Sequence, residues 1–230
     1  MSQQRHFGPN RGVSTYHTFE EMRLNSNLFQ SIREHGFNHP TDIQKGAIMS
    51  ITSGKDVIVQ AASGTGKTSA LAISILQRIN TDMPQTQALV LSPTHGLAMQ
   101  MREMIAGLGH YKNVQVQLCV EGINMGNNSH MSEQVPHVIS GTPGQVYNML
   151  RQGTLRAEVI EMLVLDGADY IFDHGFIDRF QDLYNYLPSP LQLVFMSNYL
   201  TDDILGIAET TMKNPVRILE DPGEDDYSNA

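Results

Sequence analysis

AASGTGKT, Ala61–Thr68, lies between an apolar run, DVIVQ (56–60), and KTSALAISILQRI (67–79), whose apolar residues recur at helical spacing. Strand, glycine-rich loop and helix in that order form a phosphate-binding pattern, here with Ala61 in place of the leading glycine. Gly64 and Gly66 free the backbone to wrap N–H groups around phosphate oxygens, and the following helix directs its positive end at them. Lys67 is placed to reach the outer phosphates and the Thr68 hydroxyl to coordinate Mg²⁺. The nucleotide-binding candidates in the loop are therefore Ser63, Gly64, Thr65, Gly66, Lys67 and Thr68.

Working outward, the same alternation continues. Apolar runs at 88–92, 114–120, 137–140, 162–166, 191–196 and 216–219 read as strands buried on both faces of a parallel sheet. Between them, TDIQKGAIMSI (41–51), THGLAMQMREMIAGL (94–108), TPGQVYNMLRQG (142–153) and GFIDRFQDLYNYL (175–187) read as helices, with Thr41 a candidate N-cap. This predicts one three-layer α/β domain over 19–219, flanked by a flexible arm (1–18) and an acidic, disordered tail (220–230). Ligands of such folds sit at the carboxyl ends of the strands.

Composition narrows the class. In 230 residues, 40% are hydrophobic and 17% charged, a globular balance with no run near the roughly 20 apolar residues of a membrane span. The start lacks the apolar core of a signal peptide, and the single cysteine, Cys119, excludes an internal disulfide and a cysteine zinc cluster. The expected compartment is cytoplasm or nucleus, and the expected state in isolation is a monomer without membrane contact. The net charge of −9 includes five acids in the tail, and the remainder is still acidic, which weakens phosphate attraction without forbidding a local basic groove. Nine scattered histidines form no ligand set, and the thirteen methionines fall mostly at apolar helical positions.

A second segment carries chemistry. VLDGADYIF (164–172) is a buried strand ending in Asp166 and Asp169, with Gly167 and Ala168 between them. With the phosphate loop, it makes the chain resemble the first RecA-like domain of the DEAD-box RNA helicases, most closely the eukaryotic initiation factor 4A group. The resemblance runs from about Phe19 to about Leu219 in motif order. GFNHPTDIQ (36–44) is similar to the family's adenine-recognition segment, which implies Gln44 pairing with the adenine edge and Phe19 as a stacking aromatic. Asp166 would hold Mg²⁺ through water.

Other motifs are altered. PTRELA is PTHGLA, with His95 and Gly96; the glycine pair reads Glu121–Gly122; TPGR is TPGQ, from Thr142 to Gln145; DEAD is DGAD; SAT is Ser197–Asn198–Tyr199. The family's general-base glutamate falls on Gly167, so no catalytic residue is assigned; loss of such a base costs roughly 10²–10⁴-fold. The RNA-contact positions His95, Gly96, Gly122, Thr142 and Gln145 are expected to be weakened. A helicase of this family also closes a second RecA-like domain, the source of arginine fingers, over the nucleotide; the match ends with the first. The resemblance thus implies a catalytically degenerate binding module, a pseudo-helicase with weak Mg-ATP binding and weak or absent RNA binding. Its implied partners are initiation-factor or mRNA-processing scaffolds. The alternatives are residual ATPase or helicase activity and a non-hydrolysing ATP-responsive switch.

Overall fold

A computed structural model describes residues 16–122 and 135–220. Most of the arm and all of the tail beyond Glu220 lie outside the described residues.

All seven expected strands form: β1 (Val57–Gln60), β2 (Ala88–Leu91), β3 (Val116–Cys119), β4 (Val138–Gly141), β5 (Met162–Asp166), β6 (Gln192–Ser197) and β7 (Val216–Leu219). They join one sheet in the order β3-β4-β2-β5-β6-β1-β7, every pairing parallel. The apolar runs lack polar alternation because both faces are covered, and successive side chains feed two separate cores. Val57 and Val59 of β1 and Val164 of β5 enter one core, while Ile58, Leu163 and Leu165 enter the other.

The helices divide accordingly. α1 (Ser26–Glu34), α2 (Asp42–Thr52), α3 (Lys67–Arg78) and α4 (His95–Leu108) bury Leu28, Ile48, Leu71 and Ile105 on the first face. α5 (Pro143–Arg151), α6 (Ala168–Ile171), α7 (Ile177–Asn185) and α8 (Asp202–Thr211) bury Val146, Ile171, Phe180 and Ile204 on the second. Three of these, α1, α6 and α8, add to the helices expected from sequence. The segment 172–176 bends between α6 and α7, with Gly175 at φ 80°.

The consequence for function is positional. Parallel strands bring the phosphate loop after β1, the DGAD turn after β5, Asn198 after β6 and Glu220 after β7 to one edge of the sheet. The segments after β2, β3 and β4 reach the same edge on the other side of β5. Among the described residues, no helix is long and apolar enough to cross a membrane.

Candidate nucleotide site and the cleft beside it

The loop geometry follows from two glycine-dependent features. Gly66 caps α3 at φ 94°, a left-handed backbone that L side chains rarely adopt. A Cβ there would also lie 2.6 Å from Nε2 of Gln44. Gln44 has 3% of its surface exposed. Its Oε1 accepts from the Thr41 N–H at 2.8 Å and Thr41 Oγ1 accepts from the Gln44 N–H at 3.2 Å, a complete capping box. Its Nε2 donates to Ser69 Oγ at 2.8 Å. The Thr41 hydroxyl in turn donates to the Thr65 carbonyl at 2.8 Å. The amide expected to read adenine is thus buried, and two of its groups serve the cap and α3.

Phe19 requires a correction. Only 2% of it is exposed, and it packs in the first core with Met22 and Leu28. Stacking on a base needs an accessible ring face, and burying a phenyl ring is worth roughly 1.5–3 kcal/mol, which favours the core position. Glu220, assigned from sequence to the disordered tail, is also placed otherwise: its N–H donates to the Gln60 carbonyl at 2.9 Å, and its Oε2 accepts from the Ala62 N–H at 2.7 Å.

Lys67 does not project into open space. Its Nζ donates to the carbonyls of Ala61 and Ala62, the latter at 2.7 Å, and to Asn198 Oδ1 at 3.0 Å. Partial burial pushes its pKa down, an effect opposed by the charges of Asp166, Asp169 and Glu220. The side chain of Asn198 also accepts from the Ser63 hydroxyl at 3.3 Å. Its Nδ2 and backbone N–H both donate to Asp169 Oδ2, at 3.0 and 3.1 Å, whereas the buried Asp169 Oδ1 has no partner among the described residues.

The oxygen donors suited to Mg²⁺ are less engaged. Among the described residues, neither the Thr68 hydroxyl nor the Asp166 carboxylate makes a hydrogen bond. Burial raises the Asp166 pKa to about 6; Lys67 opposes that rise and Asp169 adds to it. A hydroxyl and one carboxylate match the one or two protein oxygens that Mg²⁺ uses beside phosphates and water. The donor set therefore fits Mg-nucleotide, while the lysine and one loop N–H are already engaged. Thr68 and Asp166 would hold Mg²⁺, which would supply positive charge to offset that of the phosphates.

Gly167 is fixed by its surroundings. It lies at φ 99° and ψ 51°, and an added Cβ would approach Pro93 Cγ to 2.9 Å and Cδ to 3.3 Å. Nearby, the Ser197 hydroxyl donates to the Tyr199 carbonyl at 2.5 Å. The Tyr199 phenol reaches Asp173 Oδ2 at 2.7 Å, so it serves the bend after α6 and not the DGAD carboxylates.

The other half of the edge holds a cleft of about 540 Å³. His95 and Thr142 line it, as do Glu121 and Gly144; Gly96, Gly122 and Gln145 are not among its lining residues. Sequence reasoning missed its far wall: Tyr170 and His174, stacked at 3.7 Å between ring centroids, and Arg179 on α7. Their signal was weak, since 175–187 reads as an ordinary amphipathic helix. Arg179 is exposed and has no ion pair among the described residues. The N-termini of α4, capped by Thr94, and of α5, which starts after Thr142 without a side-chain cap, also face the cleft.

Comparison with known proteins agrees with this layout. The DEAD/DEAH box helicase model matches residues 41–205. An ATP-dependent RNA helicase FAL1 from Coccidioides immitis is 46% identical over 213 residues, covering 93% of this chain and 53% of that protein. Among solved structures, a DEAD box protein from Methanococcus jannaschii superposes with TM-score 0.84 at 28% identity, covering 89% of this chain and 56% of that one. S. cerevisiae Dbp5 bound to RNA and ADP BeF3 gives 0.80 at 30% identity, covering 88% and 52%. A Dbp5 variant bound to Gle1 and IP6 gives 0.82 at 29%, covering 90% and 53%. The chain spans about half the length of the curated relatives it matches.

Proposed function

Because this chain belongs to the DEAD/DEAH box helicase family, we propose that it is a nucleotide-binding domain with its hydrolytic step disabled. It would act as a pseudo-helicase through protein partners in translation or mRNA regulation, in the cytoplasm or nucleus. The observation that carries this reading is the backbone at Gly167. The family resemblance puts a water-activating glutamate there, whereas this residue is left-handed and has no space for a Cβ beside Pro93. Losing the base removes roughly 3–5 kcal/mol of barrier lowering. Asp166 remains for Mg²⁺, and the Gly64 turn remains for phosphate. The complex of Dbp5 with Gle1 supports a domain of this shape working against a protein partner.

The test is calorimetry with Mg-ATP together with phosphate release, using the full chain and Lys67→Ala. The expected outcome is binding no tighter than high micromolar, on the order of −5 to −6 kcal/mol, and lost in the variant. Turnover should stay at the background of Lys67→Ala with or without RNA. Turnover tenfold above that background would sink the proposal and favour a residual ATPase.

A second reading concerns RNA. The cleft keeps two helix N-termini and an arginine with no ion pair among the described residues, groups that attract phosphate. We propose that a weak single-stranded RNA contact survives there, limited by the carboxylate of Glu121.

A further inference from the structure

Two residues outside the motif, Asn198 and Glu220, engage the phosphate loop at Lys67 and Ala62. Lysine ammonium has three N–H donors and no acceptor. Those of Lys67 are matched by three oxygens, the carbonyls of Ala61 and Ala62 and Oδ1 of Asn198. The same amide is anchored at its other end, since Nδ2 and the backbone N–H of Asn198 both hold Asp169 Oδ2. Asp169 is 2% exposed, so this anchor sits in the protein interior. Across the loop, the Glu220 carboxylate takes the Ala62 N–H at 2.7 Å. Ala62 is therefore gripped on both sides, its carbonyl by Lys67 and its N–H by Glu220.

We infer that Asn198 is a positioning residue that latches Lys67 onto Asp169, with Glu220 as a second catch on the same loop, and that phosphate must displace both to engage the lysine. An alanine at 198, the residue that the resemblance places between serine and threonine, could make none of the side-chain bonds. The amide thus converts the end of β6 from a neighbour of the phosphate site into an occupant of it. The carboxylate adds a like charge near incoming phosphates, opposing nucleotide further. The inference rests on the loop being a nucleotide site only for its consequence. The latch itself can be read without nucleotide.

The experiment therefore has two arms, run on the full chain as wild type, Asn198→Ala, Glu220→Ala and the double variant, with melting curves to verify folding. In the first arm, an amine-acylating reagent and mass spectrometry give the labelling rate of Lys67 relative to the exposed Lys213. Release from a charged hydrogen bond predicts on the order of a tenfold rise for Asn198→Ala. A smaller rise, roughly threefold, is expected for Glu220→Ala because it acts through Ala62. Unchanged Lys67 labelling in the double variant overturns the latch, whatever nucleotide does. In the second arm, calorimetry with Mg-ATP should show tighter binding in Asn198→Ala, on the order of tenfold, and more in the double variant. A gain of affinity is not what general structural damage produces. Faster labelling with equal or weaker Mg-ATP affinity overturns the competition with phosphate. Faster labelling with no Mg-ATP binding in any form leaves the latch standing and overturns the nucleotide reading instead.

Discussion

The two halves of the carboxyl edge, divided by β5, depart from their motifs in opposite ways. On the β6-β1-β7 side the phosphate loop retains nearly every motif residue, yet Lys67, Gln44 and the Ala62 N–H are bound to other parts of the chain. On the β3-β4-β2 side the motif charges are gone, yet a cleft remains, with Arg179, His174 and two helix N-termini around it. A motif match reports the backbone that makes a cradle. It does not report whether the groups in the cradle are free. Conversely, a depleted motif says little about charge supplied by a helix from elsewhere in the chain.

Gly167 touches both halves, so changing it tests the division most severely. Gly167→Glu puts a side chain on a left-handed backbone and drives its Cβ against the ring of Pro93, which lines the cleft. Strain of this kind costs about 1–3 kcal/mol, and forced overpacking adds a similar amount, so a loss of about 2–6 kcal/mol is expected in urea unfolding. RNA-stimulated phosphate release should not appear, because groups that act as a unit are not recovered singly. A variant as stable as wild type, or one with RNA-dependent turnover, would mean that the backbone at 167 adapts and that glycine is the only defect.

Asp166, on the shared strand, gives a smaller effect of opposite sign. Its folded pKa of about 6 lies above the ordinary value of 3.8, chiefly through burial. Between those values the folded chain holds a proton that the unfolded chain has released. Stability therefore falls as pH rises through that window, and the full cost is present above about pH 6. Without nucleotide or Mg²⁺, Asp166→Asn should be more stable than wild type at pH 7.5 by about 3 kcal/mol, with the difference fading towards pH 4. The same variant should weaken Mg-ATP binding. Melting curves across pH check the sign, and a variant less stable at pH 7.5 would refute the assignment of burial as the dominant cause.

These two residues also mark how far the sequence could be read. The sheet was legible because continuous apolar runs between helical segments admit few arrangements, and all seven strands lie where those runs lie. Lys67, Thr68 and Asp166 were legible because each has a motif around it. Asn198 and Glu220 were not, since their bonds to the loop join residues 131 and 158 positions apart. Phe19 was misread for a related reason: an aromatic beside a binding motif looks the same in sequence whether it faces a base or the core. The bend at Gly175 hid Arg179, because it sets where α7 starts relative to the cleft.

Arg179 supplies the gentlest test, and it bears on the open half alone. If the cleft attracts phosphate, Arg179→Ala should weaken binding of a short single-stranded RNA by about 0.5–1 kcal/mol, the usual range for one exposed ionic contact. That is roughly twofold to fivefold in fluorescence anisotropy. The salt dependence is the sharper readout. Removing one phosphate contact should make the slope of log affinity against log salt shallower by about 0.7 for a single strand. Glu121→Gln, on the opposite wall, should shift affinity the other way by a similar factor, since it removes a repelling carboxylate from the same lining. Both variants are on the surface, so neither should move the melting temperature. If Arg179→Ala and Glu121→Gln leave affinity and slope at wild-type values, the cleft is not where RNA goes. The open half would then be as idle towards phosphate as its altered motifs suggest, and protein contact would be the function left to it.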